Sequence, residues 1–216
     1  MDEALRIREF WFGRALTGAQ PGQGEKASLA HLLTQRCNVW FAGESAQRLQ
    51  RDELIRGAFQ EVLERAASGA LASWADSPRR RLSLILLLDQ FPRQCFRGTA
   101  RAFAYDQQAL ALTMTGMQGA ADGALNTIER IFFYMPLQHA ESLEAQEESV
   151  AAYKRLSEEV SEELRARYEG FLGYAQAHRE LIRQFGRFPH RNKVLGRANT
   201  PEEQAYLSAH PDSFGQ

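Results

Sequence analysis

Three stretches of the chain hold residue types able to move protons or grip an anion. In FGRFPHRNKVLGR (residues 185–197), Gly186 and Pro189 end a helix and fix a turn, from which His190, Arg191 and Asn192 project together. A histidine titrating near neutrality, a planar cation and an amide suffice to bind an anion or to serve in acid and base work. In ERIFFYMPLQHAE (residues 129–141), Glu129, Arg130, Tyr134 and His139 interrupt an otherwise apolar run. Each needs a polar partner there. In LILLLDQFPRQCFRG (residues 84–98), Asp89 shares a helical face with Leu82, Ile85 and Leu86, so its carboxylate faces the core. A buried carboxylate calls for a partner such as Arg93 or a helix N-terminus.

Each of these features also has a purely structural account. Asp89 with Arg93 fits a buried ion pair that locks a turn, and His190, Arg191 and Asn192 fit caps on neighbouring helix ends. His139 and Glu141 diverge by about 200° on a continuous helix, so they cannot share a metal as ligands four apart would. A metal held by His139, His178 and His190 would require tertiary convergence, and no metal or other cofactor is expected. Nucleophile and phosphate-loop signatures are missing from the sequence. Cys95 stands near Arg93 and Arg97, which would lower its pKa, yet a lone cysteine beside Phe96 also fits small buried packing.

The formal charge of −1 hides a strong partition. Residues 79–101 carry six arginines against Asp89, and residues 178–197 carry five arginines and Lys193 against Glu180. Residues 141–163 hold eight glutamates against Lys154 and Arg155. Paired basic and acidic helices explain most of this, but Arg93, Arg97, Arg187, Arg191 and Arg197 sit among aromatics and turn residues, where arginine forks suit carboxylate or phosphate. The balanced total argues against general nucleic-acid binding. The longest aliphatic run, Leu84 to Leu88, is too short for a membrane span. Two distant cysteines without a CxxC suit a reducing compartment, and the expected location is cytoplasmic.

Helical periodicity recurs along the chain and strand alternation does not. The pattern predicts one all-α domain over residues 1–216, with residues 13–27 as a surface loop. Asp2 caps a first helix that Gly13 ends. A second holds Leu29, Leu32 and Leu33 and closes at Gly43. A third, from Ser45 to about Ala67, carries Ile55, Phe59, Val62, Leu63 and Ala66. Ser77 and Pro78 open a central helix that Phe91–Pro92 ends, and Thr99 caps the next, with Phe103, Leu110 and Met114. Pro136 stops the helix of residues 124–135. An acidic helix over about 141–159, one over 171–185, and one opened by Thr200, Pro201 and Glu203 complete the chain.

The segments LLLDQFPRQCFRGTARAFAYD, IERIFFYMPLQHAE and FGRFPHRNKVLGRANTPEE together resemble, in order and spacing, the bacterial DUF924 family of uncharacterised proteins. The resemblance covers most of residues 5–207. It implies an all-α fold of antiparallel helical hairpins, stacked as a degenerate tetratricopeptide-like right-handed superhelix or a compact bundle. It supplies no activity. Family patterns often show Asn after the Phe-Pro-Arg turn and Ser after the position of His139, where this chain has Gln94 and Ala140.

The leading expectation is a binding module that holds an anionic small molecule or peptide in a polar groove. Its lining would be Asp89, Arg93, Arg97, Glu129, Arg130, Tyr134, His139, His190, Arg191 and Asn192. The competing expectation is a hydrolase or lyase with His139 or His190 as base, Asp89 or Glu129 as acid or orienter, and arginines on an oxyanion. A third is a protein scaffold acting through the acidic helix.

Overall fold

The computed structural model describes residues 2–17, 36, 40 and 45–210, and every described element is helical or irregular. The chain is all-α. Helix α1, Glu3–Phe12, starts where the Asp2 carboxylate accepts the Ala4 amide at 3.1 Å and ends at Gly13, whose φ of +87° suits glycine. It buries Ala4, Ile7, Trp11 and Phe12, and a short helix α2, Arg14–Thr17, follows. Of the expected second helix only Arg36 and Trp40 are described, both helical, and of the expected 13–27 loop only residues 13–17, where Arg14–Thr17 form the short helix α2 instead of loop. Helix α3, Ser45–Ala67, buries the stripe its periodicity foretold: Ile55, Phe59, Val62, Leu63 and Ala66. These side chains join Trp11, Phe12, Trp40, Phe91 and Phe132 in an aromatic core, where the Phe132 ring stands 4.7 Å from Trp40 and 5.5 Å from Trp11 and Phe12.

Helix α4, Pro78–Ile85, does not end at Phe91–Pro92. Proline lacks an N–H and its ring crowds the carbonyl four residues back, so an unmodified α-helix would break there. Instead Leu86–Gln90 widens into a π-turn, in which the Phe91 amide reaches Leu86 O, and the chain continues as α5, Phe91–Cys95. The whole stretch from Leu82 to Cys95 is buried. Thr99 precedes a 3-10 turn, Ala100–Phe103, rather than a long helix; α6, Asp106–Gln118, begins after it and leaves Met114 exposed.

Helix α7, Thr127–His139, opens with a capping box between Asn126 and Glu129 and runs straight through Pro136. Pro136 leaves Phe132 O without its usual helical donor. Hydroxyls from other helices brace the carbonyls on either side: Tyr153 Oη donates to Ile131 O at 2.7 Å and Thr113 Oγ1 to Phe133 O at 2.9 Å. Helix α8, Leu143–Glu159, and α9, Glu162–Phe185, follow after short connections, with α7 packed on α8 and α8 on α9. Helix α9 starts nine residues before the expected Phe171, since Ser161 supplies an extended N-cap position and Leu164 and Tyr168 are buried. Gly186, at φ +70°, ends α9; the 3-10 turn Pro189–Arg191 and α10, Pro201–Ala209, complete the described chain. The Thr200–Glu203 capping box of α10 is present as expected. Among the described residues no helix is long and apolar enough to cross a membrane.

Candidate functional site

The π-turn carries Asp89 into the interior, where it is completely buried. Its Oδ1 lies 2.7 Å from His139 Nδ1, and its Oδ2 accepts Gln90 Nε2 at 2.5 Å. Arg93, one turn on, stands 3.4 Å from Oδ1 and donates to the Asp89 carbonyl at 2.5 Å. Asp106, first residue of α6, receives both arms of Arg93 at 2.8 and 2.9 Å and Arg191 Nη1 at 3.3 Å. The result is an alternating ladder of charge: Arg191, Asp106, Arg93, Asp89, then His139.

His139 owes its place to Gln146, a fully buried amide on α8. Gln146 Nε2 donates to the carbonyls of Gln138 and Ala140 at 2.7 and 2.8 Å, clamping the backbone on both sides of His139. Gln146→Ala removes the donor and leaves these carbonyls buried. It should lower stability by about 1–3 kcal/mol in urea unfolding, with the His139 imidazole resonances shifted; an unshifted spectrum would show that the clamp does not position the ring.

Burial alone would raise the Asp89 carboxyl, but His139 and Arg93 outweigh it and hold the group below the usual carboxylate range. Burial and the Arg93 charge push the His139 imidazole below its ordinary value, against the pull of Asp89. The neutral ring then donates Nδ1–H to Asp89 and keeps the lone pair on Nε2, which makes no hydrogen bond within the described residues. The side chain remains 15% exposed, so this lone pair belongs to a ring that reaches solvent. An imidazole oriented by a buried carboxylate, with the distal nitrogen unengaged, is the arrangement of a general base.

Two further histidines flank this pair. His178, whose Nδ1 donates to Tyr174 O at 2.8 Å, has its ring centre 6.4 Å from that of His139, and burial, reinforced by competition with His139 for a proton and by Arg191, lowers it to about 3. Burial and Arg191 lower His190 to about 4, and its ring lies 5.4 Å from Phe188. Both are neutral at pH 7. Among the described residues no group of three or more His, Cys, Asp or Glu side chains is placed to hold a metal. Arg191 is buried with its guanidinium carbon 4.6 Å from the centre of Phe103 and 4.4 Å from that of Phe188. Burial and Arg93 lower it to about 10, so it is still a cation at neutral pH.

The family model described as a bacterial protein of unknown function, DUF924, matches residues 7–210. The chain belongs to the DUF924 family. It is similar to a solved structure of a protein of unknown function, ATU0120 from Agrobacterium tumefaciens, at 34% identity over 85% of this chain and 98% of that one, with a TM-score of 0.69. No curated protein matches.

In this DUF924 chain the single groove expected from the sequence is divided. Asp89, Arg93, His139, His190 and Arg191 come together. Arg97 instead pairs with the buried Asp52 of α3 at 2.6 and 3.1 Å, tying the end of α5 to that helix. Glu129 completes the α7 capping box 3.9 Å from the buried Arg8, and burial raises its carboxyl. Arg130 bonds Tyr134 at 3.1 Å and pairs with Glu159, while Tyr134 donates to Asp122 at 2.6 Å. Asn192 joins Asn199, Glu203 and Arg197 in a lattice that also takes in Arg187 and Glu141, fastening the 186–200 segment to the start of α8. Charge repartition thus consumes these groups locally. A surface hollow lined by Glu3, Arg6, Ala58, Phe59, Glu61 and Val62 shares no residue with the ladder.

Asp106 was not singled out by sequence reasoning, because an acid at the first position of a helix is ordinary. Gln90 and Gln146 gave no signal either. Gln94 and Ala140 are both buried, and Gln94 Oε1 has no hydrogen-bond partner among the described residues. Cys95 is buried and its thiol is pushed up to about 11 by burial, so nearby arginines do not activate it.

Proposed function

We propose that this protein binds an anionic small molecule at Arg191 and that His139, oriented by Asp89, acts as a general base on it or on an attacking water. The reaction class is hydrolysis or elimination. The carrying observation is the 2.7 Å contact between His139 Nδ1 and the buried Asp89, with Nε2 left unengaged by the described residues. Arg93 holds Asp89 and Asp106 in place through bonds that use both of its terminal nitrogens, whereas Arg191 keeps donors in hand. Arg191 is therefore the anion contact and Arg93 a positioning residue.

A second reading is binding without chemistry, supported by Cys95, whose buried thiol is pushed up to about 11, and by Ala140, which places no hydroxyl beside His139. The consecutive packing of α7, α8 and α9 supports a single domain of stacked hairpins. The buried free thiol of Cys95 suits a cytoplasmic setting.

Turnover of a panel of small anionic esters and hydroxy acids separates the two. His139→Gln should lower any activity found by about 10²–10⁴-fold, and Asp89→Asn should lower it while changing its pH profile. An activity untouched by His139→Gln would remove the base from the reaction; binding retained with no turnover in the wild type would favour the second reading.

A further inference from the structure

Resting on the assignment of Arg191 as the anion contact, the geometry points to a finer conclusion: we infer that the ligand's anionic group is a single carboxylate, gripped by the Nε–Nη2 edge of Arg191 beside the rings of Phe103 and Phe188.

Arg191 is more than nine-tenths buried, with 7% of its side chain exposed. Its one polar contact is Nη1 to Asp106 at 3.3 Å, and the buried Nε has no acceptor. A buried donor without an acceptor costs free energy; Arg8, Arg81 and Arg179 also keep a buried Nε without one, and Arg191 differs from them in joining the cluster of Asp106, Arg93, Asp89 and His139. The guanidinium carbon lies over the rings of Phe103 and Phe188, at 4.6 and 4.4 Å from their centres, so ring atoms occupy its approaches and leave its edge for an incoming group. The Nε–Nη2 edge offers two parallel N–H groups in one plane, a match for the two oxygens of a carboxylate. A phosphate held on that edge would turn further charged oxygens toward phenyl rings and the Asp106 carboxylate.

Charge balance argues the same way. Arg93 and Arg191 are matched by Asp89 and Asp106, His178 and His190 are neutral near pH 7, and Glu141 is already held by Arg197 at 2.7 and 2.9 Å. One added negative charge lies directly against the Arg191 guanidinium, which it shares with Asp106. A second would be buried without a counterion.

The test is ¹⁵N NMR of the arginine Nε–H signals in the full chain, titrated with acetate, benzoate, phosphate and sulfate at constant ionic strength. Acetate or benzoate should move the Arg191 signal saturably, phosphate and sulfate should not, and Arg191→Lys should weaken the binding at least tenfold. Phosphate or sulfate binding as tightly as benzoate, or an Arg191 signal that no carboxylate moves, would overturn the inference. His139→Gln keeps the two ideas apart. Carboxylate binding preserved in that variant, with no activity that depends on His139, sinks the general base alone; loss of turnover in it without any carboxylate effect on Arg191 sinks the carboxylate alone.

Discussion

Arg93→Ala is expected to lower folding stability by about 3–5 kcal/mol, since removing one member of a buried ion network leaves the others uncompensated. Arg93 is 8% exposed and is shared by two carboxylates, one of them fully buried, and by the Asp89 carbonyl. Urea unfolding at pH 7.5 measures the loss. Arg93→Met, which keeps much of the side-chain volume, should be almost as damaging if charge rather than packing is responsible. Adding Asp106→Asn to Arg93→Met should then recover part of the loss, a coupling that distant, independent sites do not show. A loss under 1 kcal/mol in Arg93→Ala would mean that the ladder is not a unit.

Acid should weaken the fold well above the range where carboxylates titrate. His178 has an ordinary pKa near 6.5 in the unfolded chain and about 3 in the folded one, so below pH 6.5 the unfolded chain binds a proton that the folded chain refuses. Stability is therefore fully present above pH 6.5 and falls as the pH drops toward 3. At 1.36 kcal/mol per unit, this one group withdraws up to about 4–5 kcal/mol over that window. His190, lowered to about 4, acts in the same direction. Asp89 adds its share only at lower pH, because a carboxylate held below its usual range loses its contribution as the pH falls through the folded value. Urea midpoints from pH 7.5 to 4.5 test this. The wild-type curve should fall steeply, and His178→Gln, neutral throughout, should flatten it; two parallel curves would show that His178 is not the cause.

Much of the architecture could be read from local signals because those signals act locally. Asp2, Gly13, the α3 stripe and the Thr200–Glu203 box are each settled within a few residues. The failures share a different physics. Both Pro92 and Pro136 read as helix stops, and neither stops the helical course: a widened turn precedes Pro92, and the helix of Pro136 is held from outside by hydroxyls of Thr113 and Tyr153 on its Phe133 and Ile131 carbonyls, contacts that a local reading cannot weigh. The site divides likewise. That Asp89 faces the core and wants Arg93 follows from spacing, and His139 with Asp89 is a pairing that residue types suggest. Asp106 could not be found, since its meaning comes from Arg191, 85 residues away. Arg97 and Arg130 are of the same residue type as Arg93 and Arg191 and differ in having Asp52 and Glu159 within reach, while Asn192 is taken up by Glu203.

The wide turn at Leu86–Gln90 makes the cluster a matter of chain length as much as of residue identity. The wide turn holds one residue more than a regular turn, and each helical residue rotates the chain by about 100°, so inserting a further leucine that the turn does not absorb would swing the Arg93 side chain by that angle away from Asp106. Such an insertion mutant would retain every apolar residue of the core and still lose the polar cluster. Point substitutions among Leu86, Leu87 and Leu88 keep the phase, and so the face on which everything downstream emerges is encoded in the spacing between Ile85 and Pro92.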